Sequence, residues 1–333
     1  MELLNNCSHT CSLFFIGMAG SGKTSLIYRL SKKFSHAKEN HYIINLDPAS
    51  QITPYSSNID IRDTINFRRV MEEYGLGPNG AIITCLNLFV TRFHQIKTLL
   101  EIKRSHVDYI LIDTPGQIEV FMWSASGSII CEAFSSIFPV MLIYTIDLLK
   151  SVHPLTFMSN ILYSCSILYK TRLISLLAIN KIDITSMDFI HDWISSTEAF
   201  DSAFIKENFF AGSFTRSLFL TLDIYHQKTF YTGTSACSGS GIFKITKNIQ
   251  KLKKEYEMIF QIEFEKKILK KLKELNFKFI NTQHVLKSIT PKKKINNKNI
   301  DNIENGSYFN VIEYMIFLKA ENEQIITDNI FSY

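Results

Sequence analysis

Gly17-Met18-Ala19-Gly20-Ser21-Gly22-Lys23-Thr24 decides the reading of this 333-residue chain. The stretch fits G-x-x-x-x-G-K-[ST], a loop that wraps a phosphate chain. Leu13 to Ile16, a short apolar run, leads in, and Ser25 to Phe34 follows with helical spacing. Glycines let the backbone turn its N–H groups inward, and the helix N-terminus adds positive potential. Gly17, Gly20, Ser21, Gly22, Lys23, Thr24 and Ser25 are therefore the expected phosphate-side binding residues. Lys23 is expected on the β- and γ-phosphates, and the Thr24 hydroxyl on Mg²⁺. The plain alternative is a glycine-rich turn with no ligand, and the strand-loop-helix context speaks against it.

Asp113-Thr114-Pro115-Gly116-Gln117 follows Tyr109-Ile110-Leu111-Ile112, which reads as a buried strand. A carboxylate at the end of such a strand holds Mg²⁺ directly or through water. Gly116 lets the backbone approach a γ-phosphate. Gln117 stands where GTPases keep a residue that orients the attacking water. A strand and a Pro-Gly turn would explain Pro115 and Gly116, but not the whole string beside a phosphate loop.

Asn180-Lys181-Ile182-Asp183 follows the apolar run Leu173 to Ile179. N-K-x-D resembles the guanine-specificity motif of GTPases. Asp183 can accept from the guanine N1–H and exocyclic amine, whereas adenine offers no matching donor pair and leaves the carboxylate unpaired. The Lys181 stem is expected to pack on the base or ribose. Thr234-Ser235-Ala236-Cys237 resembles the small-residue loop whose backbone N–H reads guanine O6, placing Ser235 and Ala236 at the base. A plain Ser turn explains it nearly as well. GTP and GDP with Mg²⁺ are the expected ligands.

Gly77-Pro78-Asn79 alone would read as a turn between two helices. Other segments give it a different meaning. Asn45-Leu46-Asp47-Pro48-Ala49, Asn58 to Thr64, Leu86 to Phe89, Asp113 to Glu119, Trp123 to Ile130 and Thr156 to Lys170 all resemble the GPN-loop GTPases. The last two look most like the eukaryotic branch known as XPA-binding protein 1, associated with RNA polymerase II assembly and nuclear import. The resemblance covers about residues 11–255. It implies a dimer, with itself or with another GPN-loop GTPase, in which each Gly77-Pro78-Asn79 loop reaches the other subunit's nucleotide. Asn79 would then stabilise phosphate charge in trans, as an arginine finger does. Asp47 and Gln117 are the expected catalytic partners near the water, with Thr24 and Asp113 as metal residues. Glu119 ranks below them, because an i, i+2 neighbour faces another side of a helix.

Six apolar runs, at 13–17, 42–46, 109–113, 140–146, 173–179 and 229–232, alternate with helical stretches. They predict an α/β, three-layer, mostly parallel doubly wound sheet of the P-loop NTPase class, with binding at the strand C-terminal ends. The expected division is a nucleotide domain at 1–255 and an extension at 256–333. Two helices are expected around Gly77-Pro78-Asn79, and a helical insertion at about 187–226. Its Met187, Phe189, Trp193, Phe200, Phe204, Phe209 and Phe210 suit a small core, or a groove for an apolar peptide.

Net charge is a mild +5, unevenly spread. Residues 244–298 hold sixteen Lys against five Glu, and 299–333 hold six acids against one Lys. The basic segment reads as a solvated helix face rather than a nucleic-acid surface, since it lacks Arg and interleaved aromatics. Cys7, Cys11, Cys85, Cys131, Cys165 and Cys237 form no C-x-x-C, which suits a reducing compartment. Cys7 and Cys11 would need two further ligands to bind zinc. Cys85 and Cys165 fit core positions. The N-terminus shows no secretory pattern. Glu132 and Pro139 interrupt the longest apolar stretch, so no membrane span is expected. The expected place is the cytoplasm, with nuclear shuttling implied by the resemblance alone.

Overall fold

A computed structural model describes residues 10–206, 230–254 and 256. All lie in the first of two compact units, Met1–Glu263. The Lys-rich extension beyond 256, Cys7, Phe209 and Phe210 lie outside the described residues.

Seven strands form one sheet in the order β3-β2-β4-β1-β5-β6-β7. They are β1 Cys11–Ile16, β2 His41–Asn45, β3 Ile59–Asp60, β4 Tyr109–Asp113, β5 Val140–Asp147, β6 Ile174–Asn180 and β7 Phe230–Thr234. Every pairing is parallel. The six expected strands are present within two residues of their expected ends, and the sheet is an α/β P-loop arrangement. The two-residue β3 was not expected, because no apolar run marks it.

The central strands read as uninterrupted apolar runs because both faces are covered. Leu13 and Phe15 of β1, Leu111 of β4, Ile143 of β5 and Ala178 of β6 face a layer built from Leu26, Ile27, Leu30 and Phe34 of the helix Lys23–Ala37. Ile242, Ile245, Ile249 and Leu252, in the helix at 242–254, complete that layer. The intervening residues Phe14, Ile16, Ile112, Leu142, Tyr144 and Ile179 face the opposite layer. That layer takes the remaining helices, including Pro78–Thr91, Ala125–Ile137 and Pro154–Thr171. Phe34 stacks on Tyr109 at 4.4 Å and 5° and ties the first helix to the sheet. Each fully buried side chain of this size contributes about 1.5–3 kcal/mol before entropy is counted.

Three helices, not two, occupy the stretch around the Gly-Pro-Asn turn: Phe67–Tyr74, Pro78–Thr91 and Phe93–Lys103. Gly75, at φ 60°, closes the first, and Pro78 opens the second with a φ already suited to it. The helical insertion begins as Asp188–Ser195 and Thr197–Lys206. Its Phe189, Trp193 and Phe200 pack on one another and on Phe157. These contacts fit the small-core reading for the three residues. Burial also raises the thiols of Cys85, to about 11, and Cys131, to about 12.

Candidate functional site: a phosphate cradle at the strand ends

Parallel order brings the C-terminal ends of β1, β4, β5 and β6 to one edge of the sheet. Residues 17–24 leave β1 there and enter the helix Lys23–Ala37. Gly22 caps that helix in the left-handed region, at φ 90°, where a side chain is strained. A Cβ at this position would also strike the Asn180 amide. Gly17 is equally constrained, because a Cβ there would meet the Thr145 carbonyl of β5. The glycines thus let the loop lie close against β5 and β6.

Lys23 is buried, and its ammonium donates to the Gly17 carbonyl at 2.7 Å and the Met18 carbonyl at 3.2 Å. Burial lowers its pKa, while the charges of Asp113 and Asp47 oppose the shift. Ser21 Oγ is buried without a hydrogen-bond partner. A cation held inside a ring of backbone, beside an orphaned hydroxyl, is what a phosphate chain would complete. Ser25, also expected here, is exposed on the next residue of the helix.

Asp113 is 2% exposed. Tyr55 donates to its Oδ2 at 2.6 Å, and Oδ1 has no hydrogen-bond partner. Burial pushes the carboxyl up to about 6, against the pull of Tyr55, Thr24 and Lys23. The Thr24 hydroxyl therefore stands against this carboxylate. A buried carboxylate oxygen without a donor, next to a threonine hydroxyl, fits a divalent cation. Thr24 and Asp113 are the residues that would hold Mg²⁺.

Asp47 lies just after β2 and faces the same centre. Its pKa is raised by burial, and the Ala49 and Gly116 backbone N–H groups and Lys23 work against that rise. Gln117 precedes the helix Ile118–Met122 in an extended conformation. It lines a cavity of about 370 Å³ together with Met18, Ala19, Gly116, Glu119 and Lys150. Glu119 was ranked lower on helical geometry. Gln117 stands just before the helix begins, and both residues line the same cavity.

Asn180 acts as a staple. Its amide donates to the Ser21 carbonyl at 2.9 Å and accepts from Ala236 N–H at 3.1 Å. The phosphate loop and the 234–237 loop are thus held by one side chain. Lys181, in the left-handed region at φ 72°, pairs with Asp147 at 2.6 Å. Asp183 is exposed. Ser235 is buried, and its hydroxyl accepts from Ser238 N–H at 3.0 Å.

The Gly-Pro-Asn turn stands apart. Gly77, Pro78 and Asn79 are exposed at the first turn of the helix Pro78–Thr91. Among the described residues no hydrogen bond joins Asn79 to the phosphate loop or to Asp47, Asp113 or Gln117.

Five supporting residues escaped the sequence reading. Tyr55 holds Asp113, and Asp147 holds Lys181. Arg29 donates from Nε to the Ala236 carbonyl at 3.0 Å and from its other end to the Cys237 carbonyl. Arg62 clamps the loop after β2. Asp60 receives it through 2.8 and 2.6 Å bonds. Burial alone would raise Asp60, but bonds from Arg62, Asn45 and Ser57 outweigh it and hold the carboxyl down at about 2. Asp60 and Arg62, two residues apart in Asn58 to Thr64, were the available signal for this clamp; Tyr55 and Arg29 carried none.

A family model described as a conserved hypothetical ATP binding protein matches residues 15–255. GPN-loop GTPase 1 of Dictyostelium discoideum is 46% identical over 255 residues, 77% of this chain and 64% of that protein. The chain thus spans just under two thirds of that relative's length. GPN-loop GTPase 1 of Saccharomyces cerevisiae is 43% identical over 275 residues, 79% of this chain and 71% of that protein. The crystal structure of a GTPase in apo form from Pyrococcus abyssi matches with a TM-score of 0.65 at 21% identity, over 75% of this chain and 98% of that one. At this identity the likeness is one of fold. On the extent of these matches, the chain belongs to the GPN-loop GTPase family.

Proposed function

We propose that this chain binds GTP with Mg²⁺ and hydrolyses it to GDP and phosphate. The observation that carries the reading is the meeting of Lys23, Asp47, Asp113 and Gln117 at one sheet edge, with Asp113 Oδ1 and Ser21 Oγ buried and unpartnered. Lys23 exchanges its carbonyl partners for phosphate oxygens and neutralises their charge. Backbone N–H groups of residues 17–24 do the same from the other side. Mg²⁺ held by Thr24 and Asp113 would supply further neutralisation of phosphate charge. Asp47 and Gln117 orient the attacking water through hydrogen bonds, and the Asp47 carboxylate takes its proton. Asp183 selects guanine by accepting from the base's N1–H and exocyclic amine, and the Ala236 loop, held by Asn180 and Arg29, supplies the N–H for O6.

Turnover on this reading needs a second chain, the same or another GPN-loop GTPase, because Asn79 has no partner in the described site. The partner's Asn79 stabilises the developing phosphate charge. We further propose a protein client, RNA polymerase II or its subunits, assembled in the cytoplasm and delivered to the nucleus. Its support is the resemblance carried by Trp123 to Ile130 and Thr156 to Lys170. Among the described residues no helix is long and apolar enough to cross a membrane.

Phosphate release from GTP and ATP, measured side by side on the full chain with and without Mg²⁺, tests this. Mg²⁺-dependent release from GTP supports it. Preference for ATP, the ligand named in the family description, overturns the role of Asp183. Tight binding without release leaves a nucleotide-dependent scaffold. Release that requires a small-molecule acceptor makes the chain a kinase.

A further inference from the structure

Tyr55 stands in the connection between β2 and β3, outside every nucleotide motif. Its ring is 8% exposed and packs in the apolar layer beneath the helix Lys23–Ala37. Its hydroxyl donates to Asp113 Oδ2 at 2.6 Å. Oδ1 of the same carboxylate is buried with no hydrogen-bond partner. The two oxygens are therefore unequal. One is tied to a protein donor, and the other is buried without one. Rotation of the carboxylate would break a buried charge-assisted bond.

Tyr55 is itself held. Arg62 Nη1 donates to the Ser50 and Gln51 carbonyls at 2.9 and 3.2 Å, and Nη2 to Thr53 Oγ1 at 3.3 Å. Thr53 Oγ1 also donates to the Tyr55 carbonyl at 3.3 Å. One guanidinium, locked on Asp60, thus braces the loop that carries both Asp47 and Tyr55. The same loop reaches the water-side carboxylate at one end and the metal-side carboxylate at the other.

We propose that Tyr55 is a positioning residue for the metal: it holds Asp113 by Oδ2 so that Oδ1 faces the divalent cation. The inference rests on the Mg²⁺-dependent nucleotide reading above. It also couples the metal to Asp47, since both carboxylates are set by one braced loop. The bland alternative is that Tyr55 only satisfies a buried acid. In that case its hydroxyl contributes to stability and nothing to metal affinity.

Tyr55→Phe separates the two, because it keeps the ring in the core and removes the donor. Full-length protein loaded with GDP is titrated with Mn²⁺, and free Mn²⁺ is read by electron paramagnetic resonance. GDP affinity is measured separately in EDTA. The expected result is Mn²⁺ binding weakened about tenfold or more, with metal-free GDP affinity changed by less than about twofold. The half-saturating Mg²⁺ for phosphate release should rise by the same factor. Unchanged Mn²⁺ affinity in the folded variant overturns the proposal, whatever happens to its Tm. A wild-type protein with no GDP affinity in either Mg²⁺ or EDTA overturns the nucleotide reading instead, and this inference with it. Should Tyr55→Phe fail to fold, hydrogen exchange on the wild type decides. Adding Mn²⁺ to the GDP-loaded protein should slow the amides of residues 53–57, and no change there overturns the proposal.

Discussion

The phosphate cradle and the Gly-Pro-Asn turn are built in opposite ways. Ser21 and Lys23 of the phosphate loop and Asp113 and Thr114 after β4 are buried, and the charges of Lys23 and Asp113 already act on one another. Lys23 is seated, and Asp113 has one oxygen tied and one bare. Asn79 is exposed on a helix end and, among the described residues, makes no hydrogen bond to the cradle. Preorganised groups act at little entropic cost, whereas a lone exposed amide must be oriented before it can help. A cradle that is complete for binding, paired with a turn that has nothing to act on, is what a site finished by a second molecule would look like. Four experiments break or sharpen that contrast.

The largest effect belongs to the cradle. Lys23→Ala removes the buried ammonium and should weaken guanine nucleotide binding by about 10³-fold or more. Equilibrium titration with a fluorescent GDP analogue checks it. Near-normal affinity in a folded variant would show that the loop is only a turn.

Asn79→Ala should leave binding nearly intact and slow phosphate release by about 10–10³-fold, the loss typical of one oriented donor. Mixing it with Lys23→Ala should restore part of the activity, since one composite site then joins an intact Lys23 with an intact Asn79. Differential tags establish that mixed dimers form. Mixed dimers without recovery would make Asn79 a local turn residue and erase the contrast drawn above.

Asp183→Asn tests the base side, where the residue is exposed rather than buried. An amide cannot accept both base N–H groups, so the GTP:ATP affinity ratio should fall by about 10–100-fold. If competition binding gives the wild-type ratio, residues 180–183 do not read the base.

The smallest effect concerns the brace. Asp60 sits at about 2 against an ordinary 3.8, so its contribution to stability is present above about pH 4 and lost as pH falls towards 2. Arg62→Gln should lower Tm by about 2–4 °C at neutral pH, and the gap from wild type should narrow across that acid window. A gap that stays constant from pH 4 to pH 2 would mean that the Arg62–Asp60 pair carries no such stability. Scanning calorimetry reads both.

Much of the fold was legible because its signals are local. Apolar runs covered on both faces have one reading, and six strands followed from them. Glycines at residues 17, 20 and 22 report a tight phosphate-facing loop through backbone geometry alone. β3 was not legible, since two residues, Ile59 and Asp60, carry no period. The third helix at Phe93–Lys103 was missed because Arg92 breaks the run without Gly or Pro. That Gln117 and Glu119 line one cavity was not legible either, since the helix begins only at Ile118.

By itself the amino-acid sequence determined the class of sheet, the order of the motifs and the family, all of which rest on residue type and spacing along the chain. The tertiary structure alone decided which atoms meet. It joined Asn180 to both Ser21 and Ala236, across 159 and 56 residues. It joined Tyr55 to Asp113 across 58, and Arg29 to Ala236 across 207. Such contacts leave no periodic trace, because a single hydrogen bond between distant segments constrains one residue on each side. What that bond needs is the parallel register of the sheet, which brings those segments to one edge.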